Sequence, residues 1–120
     1  MGYLEEVEKA LALARDAAKR EAQDAFETLA RQEERLRGSA VSKIQNAAME
    51  RAGLYWYNDL KYQEEFRKID GPFMARIAAL RLERDEAFAL ADMSYHSSMA
   101  EVYSAIVAGM KAEKAADAGQ

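Results

Sequence analysis

The chain has 120 residues, half of them apolar and about a third charged, and its 17 basic and 21 acidic residues give a formal net charge of −4. This length and apolar content are typical of one folded domain and exclude disorder as the main state. Because both signs of charge are mixed along the chain, no segment forms the cationic surface that duplex binding needs, and we expect no nucleic-acid partner. The absence of cysteine excludes disulfides and thiolate metal sites.

Residues 3–37 predict a first helix, because their apolar side chains recur at intervals near three and four, as in a coiled-coil seam. The seam consists of Leu4, Val7, Leu11, Ala14, Ala18, Ala22, Ala25, Leu29 and Leu36. Its alanine-rich middle permits close approach of another helix. Gly38 and Ser39 then predict an end and a restart, since glycine takes the left-handed conformation beyond a helix and serine caps the next one.

Residues 40–69 predict a second helix, with a stripe that runs from Val41 to Ile69. Gly53 weakens this helix by roughly 1 kcal/mol relative to alanine. Asp70-Gly71-Pro72 predicts a turn, since proline fits the first turn of a helix but does not continue one. A third helix, the longest, is expected over 73–114, followed by a frayed tail at 115–120.

These elements predict an all-α fold, namely an elongated antiparallel three-helix bundle of up-down-up, coiled-coil-like topology, formed by residues 1–120 as a single domain. A reversal at Gly71 places Asp59 opposite Arg84, although both lie on the apolar stripes of their helices. We expect an interhelical salt bridge between them, because a lone buried charge is costly. The alternative interpretation is a polar ligand or ion site between the helices.

Two surfaces outside the main seams are candidate interfaces. One is an aromatic and apolar patch at Met49, Trp56 and Leu60, which either forms a second core face or anchors a partner. The other is a small-residue face on helix three at Ser94, Ser98 and Ala105, with Met110 near the end of the helix. Alanine is also simply a good helix former, so an exposed Ala/Ser surface is the alternative.

No catalytic, cofactor or metal residue is predicted. A dimetal carboxylate bundle needs paired Glu-x-x-His motifs, whereas the single histidine, His96, is preceded three residues earlier by Met93. Phosphate-binding loops and nucleophile elbows are absent from the sequence. We therefore expect neither an enzyme nor a small-molecule substrate.

The function expected is that of a structural or interaction protein that associates with itself or other helical subunits through helix packing. The composition, rich in Ala, Glu and Arg, is similar to that of small helical virion and internal proteins of bacteriophages, although no motif carries this likeness. The alternatives are an amphipathic module on a membrane or particle surface, which the acidic balance disfavours, and a helical enzyme. With neither a signal peptide nor a transmembrane segment in the sequence, a soluble protein of the cytoplasm or of a protein particle is expected.

Overall fold

Two long helices make up almost the whole protein. A computed structural model describes residues 2–119 as helix α1 (Gly2–Ala52), a six-residue 3₁₀ turn (Gly53–Asn58) and helix α2 (Leu60–Ala118). The all-α prediction is confirmed. The prediction of a three-helix bundle is wrong, because both predicted turns lie inside continuous helices. The chain reverses its direction once, in the segment that joins the two helices.

The chain reverses at Gly53, which has a φ of 58° and is the one residue between 2 and 119 with a positive φ. Glycine adopts this left-handed conformation without the steric cost that a Cβ atom brings. Asp59 then starts α2 as its N-cap, since its carboxylate accepts a hydrogen bond from the backbone N–H of Tyr62 at 3.0 Å. Gly53, which the sequence predicted to weaken a helix, is therefore the residue at which the chain turns.

Helix α1 continues through Gly38, since a glycine inside a helix costs only about 1 kcal/mol and does not end it. Helix α2 continues through Gly71 and Pro72 at a larger cost. Proline lacks the N–H that would bond to the carbonyl four residues earlier, and its ring crowds that carbonyl, which together cost about 3 kcal/mol. Contacts on both sides of Pro72 must therefore hold the helix.

Arg37 supplies these contacts from the facing helix. Its Nε atom donates a hydrogen bond to Asp70 at 3.0 Å. Its guanidinium carbon also lies 5.5 Å from the ring centre of Phe66 and 5.2 Å from that of Phe73, which is buried. One side chain thus holds α2 before and after the proline, through a charge-assisted hydrogen bond and two cation–π contacts.

The chain divides into two units, and α1 and α2 each contribute to both. Residues 23–85 form unit 2, in which the two helices run antiparallel on either side of the turn. Arg76 forms an ion pair with Glu33 at 2.6 Å, and Arg37 forms an ion pair with Asp70 nearer the turn. The buried side chains of this unit are Ala48, Phe73 and Ile77.

Unit 1 comprises residues 2–22 and 86–119 of the described chain and is also an antiparallel helix pair. Arg15 lies 4.5 Å from the ring centre of Tyr95, and Lys19 forms an ion pair with Asp92 at 2.7 Å. Met99 is the buried side chain of this unit. The Nζ atom of Lys19 also lies 5.8 Å from the ring centre of Phe88, so cation–π contacts join the two helices of this unit.

Candidate interaction surfaces

The turn of unit 2 is held by a dense set of polar contacts. The Nη2 atom of Arg51 lies 2.6 Å from a carboxylate oxygen of Asp59, and Gln63 donates a hydrogen bond to the carbonyl of Tyr57 at 3.2 Å. The hydrogen bond from Arg51 lowers the pKa of Asp59; partial burial opposes this shift, and the Tyr62 N–H adds to it. The same hydrogen bond raises the pKa of Arg51. The turn therefore has a defined conformation in which the charges are paired.

The most exposed large apolar side chains of the described chain project from this ordered turn. Leu54 is 88% exposed and Leu60 is 80% exposed, and Tyr55 and Tyr57 are exposed beside them. Trp56 is half-buried, because its ring packs edge-on against Tyr62 at 5.1 Å. We call Leu54, Tyr55, Tyr57 and Leu60 the turn patch.

The structure separates the roles of the predicted Met49, Trp56 and Leu60 patch. All three lie in the turn or directly beside it, as the last part of α1, the turn and the first residue of α2. Trp56 supports the turn from within, whereas Met49 and Leu60 are exposed. The sequence left a second core face and a partner anchor as alternatives. In the structure the Trp56 ring packs against Tyr62, whereas Met49 and Leu60 are exposed to solvent.

Asp59 and Arg84, predicted as a salt bridge, are not brought together. Asp59 pairs with Arg51, while Arg84 contacts Asp85 and, across the helix pair, the side chain of Gln23 at 3.4 Å. The predicted pairing required a reversal at Gly71. Since α2 is unbroken, the two positions lie about 37 Å apart along it at 1.5 Å per residue.

The predicted small-residue face of α2 lies partly against α1 of the same chain. Ser98 and Ala105 line an open groove of about 460 Å³ in unit 1, on a wall also formed by Glu101, Val102 and Ile106. The opposite wall belongs to α1 and consists of Tyr3, Val7 and Leu11. The helix opposite this part of the face is therefore α1 of the same chain. Ser94 and Met110 are exposed outside the groove.

Much of the remaining surface of α2 in unit 1 is exposed and nearly uncharged. Between residues 87 and 110 the only Asp, Glu, Lys or Arg residues are Asp92 and Glu101. Asp92 is turned towards Lys19, whose hydrogen bond lowers the pKa of Asp92, and Glu101 lines the groove. The remaining surface carries exposed apolar side chains and no charge. These large apolar residues are Leu90, Met93, Tyr103, Val107 and Met110.

Across residues 2–119, no three His, Asp or Glu side chains are grouped as a metal site would require. None of the helices in the described range is both long and apolar enough to cross a membrane. Comparison of the chain with protein-family models, with curated proteins and with solved structures finds no match.

Proposed function

We propose that this chain is a non-enzymatic structural protein that acts by helix-to-helix association, as a subunit of a homo-oligomer or a larger assembly. The observation that carries the proposal is the imbalance between buried and exposed apolar side chains. In the described residues, Ala48, Phe73, Ile77 and Met99 are buried, whereas sixteen large apolar side chains are exposed. Since burying one such side chain fully is worth about 1.5–3 kcal/mol, association offers a large stabilisation.

The total accessible surface supports the same proposal. The chain exposes 9110 Å². A folded monomer of its mass, 13.5 kDa, is expected to expose roughly 6500 Å². The excess of about 2600 Å² is larger than the roughly 1200–2000 Å² that a standard protein interface buries in total. Subunits that leave this much surface uncovered are suited to assemblies, and on compositional likeness a virion is one such assembly.

Sedimentation velocity and light scattering on the full chain test the proposal directly. We expect a mass that rises with concentration to a multiple of 13.5 kDa, and a Tm that rises with concentration because association stabilises the folded state. A single species of 13.5 kDa at the highest attainable concentration, with a Tm independent of concentration, would exclude self-association.

The turn patch favours a second candidate function, binding to a membrane or to a hydrophobic particle surface. Leucine enters the apolar phase, and tyrosine suits the boundary between apolar and polar phases. The paired charges of Arg51 and Asp59 beside the patch oppose insertion less than free charges would. Use of the inner face of unit 1 would instead require its helices to separate, because Met99 is buried and Tyr95 is covered by Arg15.

Flotation with zwitterionic liposomes distinguishes this candidate. If the turn patch inserts, the wild-type chain floats with the vesicles, and Leu54→Glu with Leu60→Glu abolishes flotation. Leu36→Glu with Leu82→Glu is the matched control, because both leucines are exposed in unit 2 away from the turn. Binding that is equally sensitive to both pairs, or absent in the wild type, excludes insertion through the turn.

A further inference from the structure

Helix α2 carries two apolar seams within unit 1. The inner seam faces α1 and includes Tyr95, the buried Met99, Val102 and Ile106. Each of these residues is followed directly by a residue of a second seam, which is rotated by about 100° because successive helical residues differ by that angle. A helix that contacts one neighbour through each of two such faces is typical of a four-helix bundle.

The outer seam has the spacing of a coiled-coil interface. Its residues follow one another at intervals of four, three, four, three, four and three, and every one of them is exposed. They are Ala89, Met93, His96, Ala100, Tyr103, Val107 and Met110. This alternation keeps side chains on one stripe that faces a partner helix over about 32 Å.

We infer that this outer seam pairs with the outer seam of a second copy, antiparallel and about a twofold axis at Ala100. The inference rests on the proposed function and names the partner and the residues of its interface. The charges that flank the seam support it. Glu86 lies three residues before Ala89 and Lys114 lies four residues after Met110, so both continue the same stripe.

The orientation follows from these two charges. In a parallel pair, Glu86 would meet Glu86 and Lys114 would meet Lys114, which is repulsive. In an antiparallel pair, Glu86 of each copy meets Lys114 of the other. The same register places Ala100 of both copies on the axis, where two small side chains permit close approach, and it places Ala89 opposite the larger Met110. The seam is uncharged between its ends, so it is complementary to itself.

The available area agrees with a dimer of moderate affinity. Half the circumference of a helix about 11 Å wide, taken over 32 Å, gives about 550 Å² from each copy and about 1100 Å² in total. This value lies just above the roughly 1000 Å² expected of a specific interface. We therefore expect dissociation in the micromolar range.

Sedimentation equilibrium of the full chain over about 5–500 μM tests the seam. Ala100→Glu places two carboxylates on the axis and is expected to raise the dissociation constant by about 100-fold, since like charges in an interface cost several kcal/mol. Ser94→Glu is the matched control, because Ser94 is exposed on the same helix outside the seam. It is expected to leave the dissociation constant unchanged. Circular dichroism of each variant checks that its helices are intact.

Charge reversal tests the orientation. Glu86→Lys alone and Lys114→Glu alone are each expected to raise the dissociation constant about fivefold, and the double reversal is expected to restore the wild-type value. Cross-linking gives a second readout, because the chain has no cysteine. Ala100→Cys is expected to form a disulfide dimer, whereas Val107→Cys is not, since its two copies lie about 21 Å apart along the pair.

The outcomes separate this inference from the proposed function. If the wild type associates but Ala100→Glu associates equally well, the seam inference is wrong and the assembly proposal stands. Cross-linking of both cysteine variants indicates a parallel pair, and cross-linking of neither indicates a different occupant of the seam; each result overturns the inference. If the wild type remains a monomer throughout the concentration range, self-association and the inference fail together.

Discussion

Replacement of Pro72 by alanine distinguishes the two possible arrangements of this chain, because it is expected to raise the melting temperature in one arrangement and not in the other. In the structure, Pro72 is exposed and lies inside α2. Alanine restores the missing backbone hydrogen bond and removes the steric conflict, which is worth about 3 kcal/mol. If residues 70–72 instead formed a turn, proline would occupy a favourable first helical position, and its loss would be neutral or destabilising.

The expected change in melting temperature is large enough to measure easily. Unfolding entropy of about 2.1 cal/mol/K per residue gives roughly 0.25 kcal/mol/K for the whole chain, so 3 kcal/mol raises the Tm by about 12 °C. Gly38→Ala and Gly71→Ala are expected to add about 1 kcal/mol each, or about 4 °C. A methyl group at either position would meet no atom of the facing helix within 4 Å, so no steric contact with that helix opposes the gain.

Gly53→Ala is the matched control, because it makes the same chemical change at a residue with a φ of 58°. The left-handed conformation costs an alanine about 1–2 kcal/mol, so the Tm should fall by about 4–8 °C. Thermal melts by circular dichroism at one fixed protein concentration compare all four variants. A lower Tm for Pro72→Ala, Gly38→Ala and Gly71→Ala would refute the continuous helices.

Three further predictions concern contacts within unit 2. Ile77→Ala should lower the free energy of unfolding by about 2–5 kcal/mol, because Ile77 is buried. Met74→Ala, at an exposed position, should change this free energy by less than about 0.5 kcal/mol. Urea unfolding of both variants measures the difference. Arg37→Met should lower the free energy of unfolding by about 1–3 kcal/mol in the same assay, since it leaves the half-buried Asp70 without its partner. An unchanged free energy of unfolding would mean that other contacts hold α2 at Pro72. The folded-state pKa of Asp59 lies below its unfolded value near 3.9, so the stabilisation that it provides is complete above about pH 4 and is lost as the pH falls through the folded value. Asp59→Asn should therefore lower the Tm at pH 7 but hardly alter it well below pH 4, and an equal loss at both pH values would exclude the ion pair as the cause.

Helix content was predictable from the sequence, whereas the position of the reversal was not. Gly71-Pro72 is the stronger local signal for a turn, since proline is the costliest helix residue. The structure overrides it through Arg37, which lies 33 positions earlier in the chain than its partner Asp70. A contact between residues so far apart in the sequence does not affect the local spacing of apolar residues, so sequence patterns do not reveal it. Gly53 followed by the capping residue Asp59 was the local signal for the true turn, and it is weaker because it lacks a proline.

The candidate surfaces were predictable only in part. Met49, Leu60 and Met110 were identified from the sequence and are exposed. The outer seam of α2 was missed because four of its residues, His96, Ala100, Tyr103 and Val107, each directly follow a residue of the inner seam, so that one helix carries two overlapping patterns. Without knowing which pattern faces α1, periodicity does not distinguish the covered seam from the free one. Ser98 was assigned to an external interface because it lies on a stripe of small residues, although it lines the groove between α2 and α1.

The distance between residues 60 and 82 tests the continuity of α2 most directly. Both are exposed leucines in unit 2, and the absence of other cysteines allows selective spin labelling of a Leu60→Cys, Leu82→Cys variant, diluted with unlabelled protein. An unbroken helix places the two positions about 33 Å apart. A reversal at Gly71 and Pro72 would bring them face to face at about 10 Å, the spacing of packed helices. We expect a single pulsed-dipolar distance near the longer value, and a distribution centred on the shorter one would contradict the two-helix architecture and the surfaces that depend on it.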